Sequence, residues 1–215
     1  MNKKAVIFDL DGVVVNTAKY HYLAWKKLAE ELGFVFDESH NEKLKGVSRM
    51  ESLRIVLDVG DIKGLSDEEK QSLADRKNSY YLDMISTLDG SEILPGITEF
   101  ICKLKDEGYK IALGSASKSG RMILEKVGLA QQFDIIVDGN KVEQAKPNPQ
   151  VFTVGADLLG IPYESCIVIE DAAAGVEAAV ACGMKCIGVG SADILCRANI
   201  VVADTRGLLG IQMPL

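Results

Sequence analysis

The chain has 215 residues, 47% of them hydrophobic and 26% charged, with a formal net charge of −7. That length carries one sizeable core with room for a small appended lobe, and the composition excludes a disordered or fibrous chain. The acidic balance argues against nucleic acid or an anionic membrane surface as the main partner, so any bound anion must be held by a local pocket.

The opening MNKKAVIF carries a basic pair, but its apolar stretch meets Asp9 too early for a signal peptide. No run approaches the roughly 18 apolar residues of a membrane span. A soluble, cytoplasmic protein with no membrane partner is expected. Cys102, Cys166, Cys182, Cys186 and Cys196 are odd in number and several lie in apolar runs, which reads as reduced thiols. Cys182 and Cys186 could be a metal pair, but no second cysteine or histidine pair lies near them. CGMKCIGV reads instead as helix end, turn and strand.

Taken in order, the runs AVIF (5–8), KIALG (110–114), DIIV (134–137), CIVI (166–169), KCIGV (185–189) and IVV (200–202) alternate with helical stretches. Strands apolar on both faces, separated by helices, predict a doubly wound α/β core: a Rossmann-like parallel sheet with helices on both faces. About a hundred residues separate the first strand from the next, where a crossover helix needs roughly a dozen, so something is inserted. Between Asn16 and Glu92 the pattern is helical throughout. Tyr20, Ala24, Leu28 and Leu32 form an apolar stripe ended by Gly33, and Ser48 with Glu51 and Ser66 with Glu69 fit capping boxes. The reading is a small helical cap over 16–92 set into a core of 1–15 and 93–215, with Pro95 and Gly96 breaking the chain as it returns. The short apolar tail RGLLGIQMPL is expected to pack on the sheet or fray.

Ligands of an open parallel sheet gather at the carboxyl ends of its strands. After the first strand come Asp9, Asp11 and Gly12; after the second, Ser115, Ala116, Ser117 and Lys118; after the fourth, Glu170 and Asp171; Lys146 lies in the loop before the helix near Pro149. Acids, hydroxyls and lysines converging on one edge suit magnesium-dependent phosphoryl transfer, since hard Mg²⁺ takes carboxylate, phosphate and water oxygens. A bare Asp-x-Asp can be a solvated loop, but the convergence argues otherwise. Asp9 is positioned as a nucleophile that accepts the phosphoryl group, and Asp11 as the acid/base for a sugar hydroxyl. Ser115 and Lys146 would hold the transferring oxygens, with Asp9, Asp11, Glu170 and Asp171 around the metal. Ser117, Lys118 and Ser119 read as a helix start that is either a plain serine cap or a phosphate contact.

In the cap, His21 and Trp25 share a helix face, where a histidine is more often packing than function. Arg49 sits in the first turn of a capped helix, where a cation opposes the dipole and a bound phosphate would relieve it. Lys77 lies in a mixed-charge helix and, unaided, reads as solvated surface.

DLDG (9–12), the strand-ending Ser115, Lys146 of AKPNP and the acidic pair of EDAAAG (170–175) resemble the haloacid dehalogenase superfamily over nearly the whole chain. YHYLAWKKLAEELG (20–33), LKGVSR (44–49), RKNSYY (76–81) and GSASKS (114–119) further resemble its β-phosphoglucomutase family, which interconverts β-glucose 1-phosphate and glucose 6-phosphate. The resemblance implies Mg²⁺, Asp9 as nucleophile, and Asp11 as acid/base that also offers a main-chain carbonyl to the metal. It implies Asp171 as a metal ligand with Glu170 beside it, Ser115 and Lys146 on the transferring phosphate, and Ser117 and Lys118 on the distal one. From the cap it brings His21, Lys45, Gly46, Val47, Ser48, Arg49, Lys77 and Asn78 to sugar or phosphate, with closure excluding water. A phosphosugar substrate and a monomer are expected. Asn16, Ser119 and Asn140 depart from the family pattern, and Ser119 puts one distal-phosphate contact in doubt. The rivals are a sugar-phosphate phosphatase with the same catalytic residues, and a phospho-accepting regulatory module, which needs no helical insert.

Overall fold

The computed structural model describes residues 4–214; Met1 to Lys3 of the stretch read for a leader, and Leu215 of the tail, lie outside the described residues. The chain divides into two compact units, one of Thr17–Thr87 and one of the residues on either side. Asn16 and residues 88–92 therefore group with the sheet unit and not with the insert. Hydrogen bonding gives the reason. Asn16 N donates to Glu92 O at 2.8 Å and Leu94 N to Val14 O at 3.0 Å, tying the departing and returning segments together before the helices begin.

The first unit holds α1 (Ala18–Glu31), α2 (Glu38–Asn41), α3 (Arg49–Val59) and α4 (Asp67–Met84), with α1 and α3 both packed on α4. The buried face of α1 is Ala24, Trp25, Leu28 and Ala29, wider than the predicted stripe, while Tyr20 stays half-buried. Together with Phe36, Leu53, Val56 and Leu73 it forms this unit's own core. Ser66 and Glu69 close a full capping box on α4, at 3.2 and 2.8 Å. At α3, Ser48 accepts from Glu51 N at 3.2 Å, but the Glu51 carboxylate bonds Arg54 at 2.6 Å. Only half of the predicted box is present there.

The second unit is a six-stranded parallel sheet of β1 (Ala5–Phe8), β2 (Lys110–Gly114), β3 (Ile135–Val137), β4 (Cys166–Glu170), β5 (Lys185–Val189) and β6 (Ile200–Val202), in the order β3-β2-β1-β4-β5-β6. Around it lie α5 (Ile97–Asp106), α6 (Gly120–Lys126), α7 (Gln150–Leu159) and α8 (Ala173–Ala181). Side chains alternate across a strand. Ala5 and Ile7 thus join the cluster built with Phe152 of α7 and Val176 and Ala179 of α8. Phe8, one residue on, meets Phe100 of α5 and Phe133 edge-on at 6.1 Å. β3 begins one residue later than predicted, because the Asp134 carboxylate accepts from Ile111 N and Lys110 Nζ. The helix expected from Ser117 begins at Gly120, leaving 117–119 as a turn. No helix among the described residues is long and apolar enough to cross a membrane.

The sheet order reverses between β1 and β4, and open α/β sheets bind ligands at such a switch point, beyond the carboxyl ends of their strands. Asp9 and Asp171 are the residues that follow those two neighbouring strands.

Candidate active site

In the sheet unit, Asp9 N donates to Ile169 O at 2.9 Å, carrying the β1–β4 ladder one residue past the strand. The carboxylates of Asp9, Glu170 and Asp171 offer oxygens all within 4.8 Å of one another. Lys146 lies between two of them, its Nζ 2.5 Å from both Asp9 Oδ1 and Glu170 Oε1. Burial opposes the charge on Lys146, but Asp9 and Glu170 outweigh it and hold the ammonium protonated above its ordinary range. Burial pushes the Glu170 carboxyl up, to about 7, against the pull of Lys146 and with the help of the Asp9 charge.

Glu170 is 0% exposed, and its other oxygen accepts from Ala172 N at 2.8 Å. Both oxygens are therefore engaged inside the protein. Removing one member of such a buried ion group leaves an uncompensated charge, at a cost of about 3–5 kcal/mol. Two glycines make the packing possible. A Cβ at Gly175 would overlap the Glu170 carboxylate, and one at Gly12, where φ is +86°, would overlap that of Asp171.

Ser115 is buried at the end of β2, with its Oγ accepting from Ser117 N at 3.1 Å; Ser117 Oγ accepts in turn from Ser119 N at 3.2 Å. Ala116 and Lys118 complete this turn, with Lys118 exposed. Asp11 stands two residues after Asp9, half-buried and paired in an isolated bridge with Val15. The expected core residues are thus brought to one sheet edge. Cys182 and Cys186 lie as CGMKCIGV was read, at a helix end and in a strand: Cys182 follows α8 with its Sγ donating to Ala179 O, and Cys186 is buried in β5.

In the helical unit, Lys77 corrects the sequence reading. It is only 3% exposed, with Nζ 2.8 Å from His21 Nδ1 and above the rings of Trp25 and Tyr81, 4.8 and 5.0 Å from their centroids. His21 stacks on Tyr81 at 3.9 Å. Burial, then the charges of Lys77 and Arg49, hold the His21 imidazole well below its ordinary pKa, so the ring is neutral. An ammonium only donates, which makes Nδ1 the acceptor and places the ring proton on Nε2. Arg49 donates to Asn78 Oδ1 at 2.8 Å and lies 3.6 Å from Asp75, while Lys45 pairs with Glu42 at 3.0 Å. Gly46, with φ +72°, and Val47 form the turn into Ser48. Sequence reasoning missed Tyr81. Its signal was the i,i+4 spacing from Lys77, matching that of His21 and Trp25 on α1.

Sheet order, helical insert and acid–lysine cluster define a doubly wound α/β protein with a site at its switch point. A family model for haloacid dehalogenase-like hydrolases matches residues 6–189. The chain is 43% identical to the β-phosphoglucomutase of Bacillus subtilis, over 95% of this chain and 91% of that one. A phosphorylated carbohydrates phosphatase of Thermotoga maritima is 28% identical over 85% of this chain and 82% of its own. The crystal structure of a β-phosphoglucomutase from Clostridium difficile superposes with a TM-score of 0.91 and 43% identity, covering 96% of this chain and 93% of that one. The chain belongs to the haloacid dehalogenase-like hydrolase family.

Proposed function

We propose that the chain interconverts β-D-glucose 1-phosphate and glucose 6-phosphate through an aspartyl phosphate and β-glucose 1,6-bisphosphate. The observation that carries this reading is the 43% identity to a β-phosphoglucomutase across 95% of the chain. The Lys146–Asp9–Glu170 ion group supports the chemistry.

Asp9 is the nucleophile, its carboxylate oriented by the Lys146 bond to Oδ1. Asp11 gives a proton to, or takes one from, the sugar oxygen that leaves or accepts. Ser115 and Lys146 hold the oxygens of the transferring group, and Ala116, Ser117 and Lys118 the second phosphate. His21, Trp25, Lys45, Gly46, Val47, Ser48, Arg49, Lys77 and Asn78 bind sugar or its phosphate. The carboxylates suit a hard cation, and Asp9, Glu170 and Asp171 with the Asp11 carbonyl would hold Mg²⁺. When bound, the ion supplies positive charge against the phosphoryl oxygens and offsets the Asp9–Asp171 repulsion. Glu170, engaged by Lys146 and Ala172 N, also steers Lys146 from its place in the acidic group. The chain acts as a cytoplasmic monomer on its phosphosugar.

A phosphatase is the second reading, favoured by the 28% identity to a phosphorylated carbohydrates phosphatase. One assay separates the two: protein, Mg²⁺, β-glucose 1-phosphate and a trace of β-glucose 1,6-bisphosphate, followed for glucose 6-phosphate and free phosphate together. The mutase reading expects glucose 6-phosphate to outrun phosphate greatly. Phosphate rising alone makes the chain a phosphatase.

A further inference from the structure

The turn after β2 is pinned to the segment after β3. Ser115 N donates to Val137 O at 3.0 Å as the last rung between the strands, and Gly139 N then donates to Ser117 O at 3.1 Å. One residue on, a side chain supplies the next contact: Asn140 Nδ2 donates to Lys118 O at 2.8 Å. The same Nδ2 lies 3.2 Å from Asp138 Oδ1, which also accepts from Asn140 N at 3.1 Å. Asp138 is buried and has no part in the chemistry above. Gly139 has no room for a side chain, because a Cβ would overlap the Ala116 carbonyl and lie 3.2 Å from Lys118 Cγ. Residues 138–140 thus press on three successive carbonyls, those of Ala116, Ser117 and Lys118.

We infer that Asn140, oriented by Asp138, is a positioning residue for the non-transferring phosphate, acting through the Lys118 carbonyl. The inference rests on the proposed reading of Ser117 and Lys118 as holding that phosphate. In a planar trans peptide the carbonyl and the following N–H point in opposite directions. With the Ser117 and Lys118 carbonyls held toward 139–140, the N–H groups of Lys118 and Ser119 are both directed away from that segment, the second of them onto Ser117 Oγ at 3.2 Å. Accepting that bond leaves the Ser117 hydroxyl its own proton to donate, and with the Lys118 N–H it suits an anion. Asn140 fixes the second of these peptide planes without touching substrate.

The test compares Asn140→Ala, Asn140→Asp and Lys118→Ala with the native protein on two substrates. β-Glucose 1-phosphate, with Mg²⁺ and trace bisphosphate, carries the second phosphate; acetyl phosphate is a phosphoryl donor without one. Loss of one hydrogen bond corresponds to about a five-fold change. Asn140→Ala is expected to raise KM for β-glucose 1-phosphate by about that factor, with kcat and acetyl phosphate hydrolysis unchanged. Asn140→Asp turns a carboxylate toward the Lys118 carbonyl and Asp138, and is expected to raise KM further, about ten-fold. If Lys118→Ala raises KM while neither Asn140 variant does, the positioning role is wrong and the phosphate reading stands. Unchanged KM in Lys118→Ala overturns the phosphate reading and the inference with it. Equal losses on both substrates would show a merely structural asparagine and also overturn the inference.

Discussion

Each unit of the protein buries a lysine, and the two are held by different physics. Lys146 is fixed by two carboxylates at 2.5 Å, whose places are set by β1 and β4. Lys77 is fixed by an imidazole nitrogen and two aromatic faces contributed by α1 and α4. In the proposed function the first arrangement orients the nucleophile and would act on any phosphoryl donor that reaches it. The second holds an ammonium, a neutral imidazole and aromatic faces, groups suited to binding a sugar phosphate. In the proposed function, phosphoryl chemistry therefore belongs to the sheet unit and choice of acceptor to the helical one.

The largest expected effect breaks the sheet-unit half of that division. Asp9→Asn should abolish phosphoenzyme formation and lower turnover by about 10³-fold or more, read by trapping label from β-glucose 1,6-bisphosphate. Turnover that survives would remove Asp9 as nucleophile. Gly175→Ala is next, since the added methyl displaces the Glu170 carboxylate from Lys146. An uncompensated buried charge should cost about 3 kcal/mol in denaturant unfolding, with kcat down about 10–100-fold. Native activity in that variant would show that Lys146 needs no second carboxylate.

A smaller effect sharpens the helical half. The His21 imidazole stays neutral in the folded protein well below 6.5, the value at which it protonates when unfolded. The unfolded chain therefore binds the extra proton first, so stability falls as pH drops below 6.5 and is fully present above it. Between pH 7.5 and 5.5 the native protein should lose about 1 kcal/mol more than His21→Asn in urea unfolding. Equal losses would mean that the folded imidazole titrates normally.

The two lysines also differ in how legible they were. Asp9 and Asp171 could be placed from sequence because each follows an apolar strand, and Lys146 because it lies in the loop before the helix near Pro149; parallel strands bring their carboxyl ends to one edge. The limits of β1, β2, β5 and β6 were readable for the same reason. Lys77 was reached only through the family resemblance, because its partner His21 lies 56 residues away on another helix, and nothing local to α4 distinguishes a lysine under aromatic rings from one in water. Glu170 was placed at the site for the same reason, because it ends the fourth strand beside Asp171. Its fit beside Gly175 and its two internal bonds are tertiary facts. The half-closed box at Ser48 failed through competition, since Arg54 offered Glu51 a stronger partner than the backbone did.

The most direct test of the division between the units is Lys77→Met, which keeps the buried stem and removes the ammonium. Glucose 6-phosphate and free phosphate would be followed together from β-glucose 1-phosphate, with Mg²⁺ and trace bisphosphate. The account predicts that glucose 6-phosphate formation falls about 10-fold or more while phosphate release persists, so that their ratio collapses. Both rates falling in parallel, with the ratio unchanged, would place acceptor choice outside the helical cluster and contradict it.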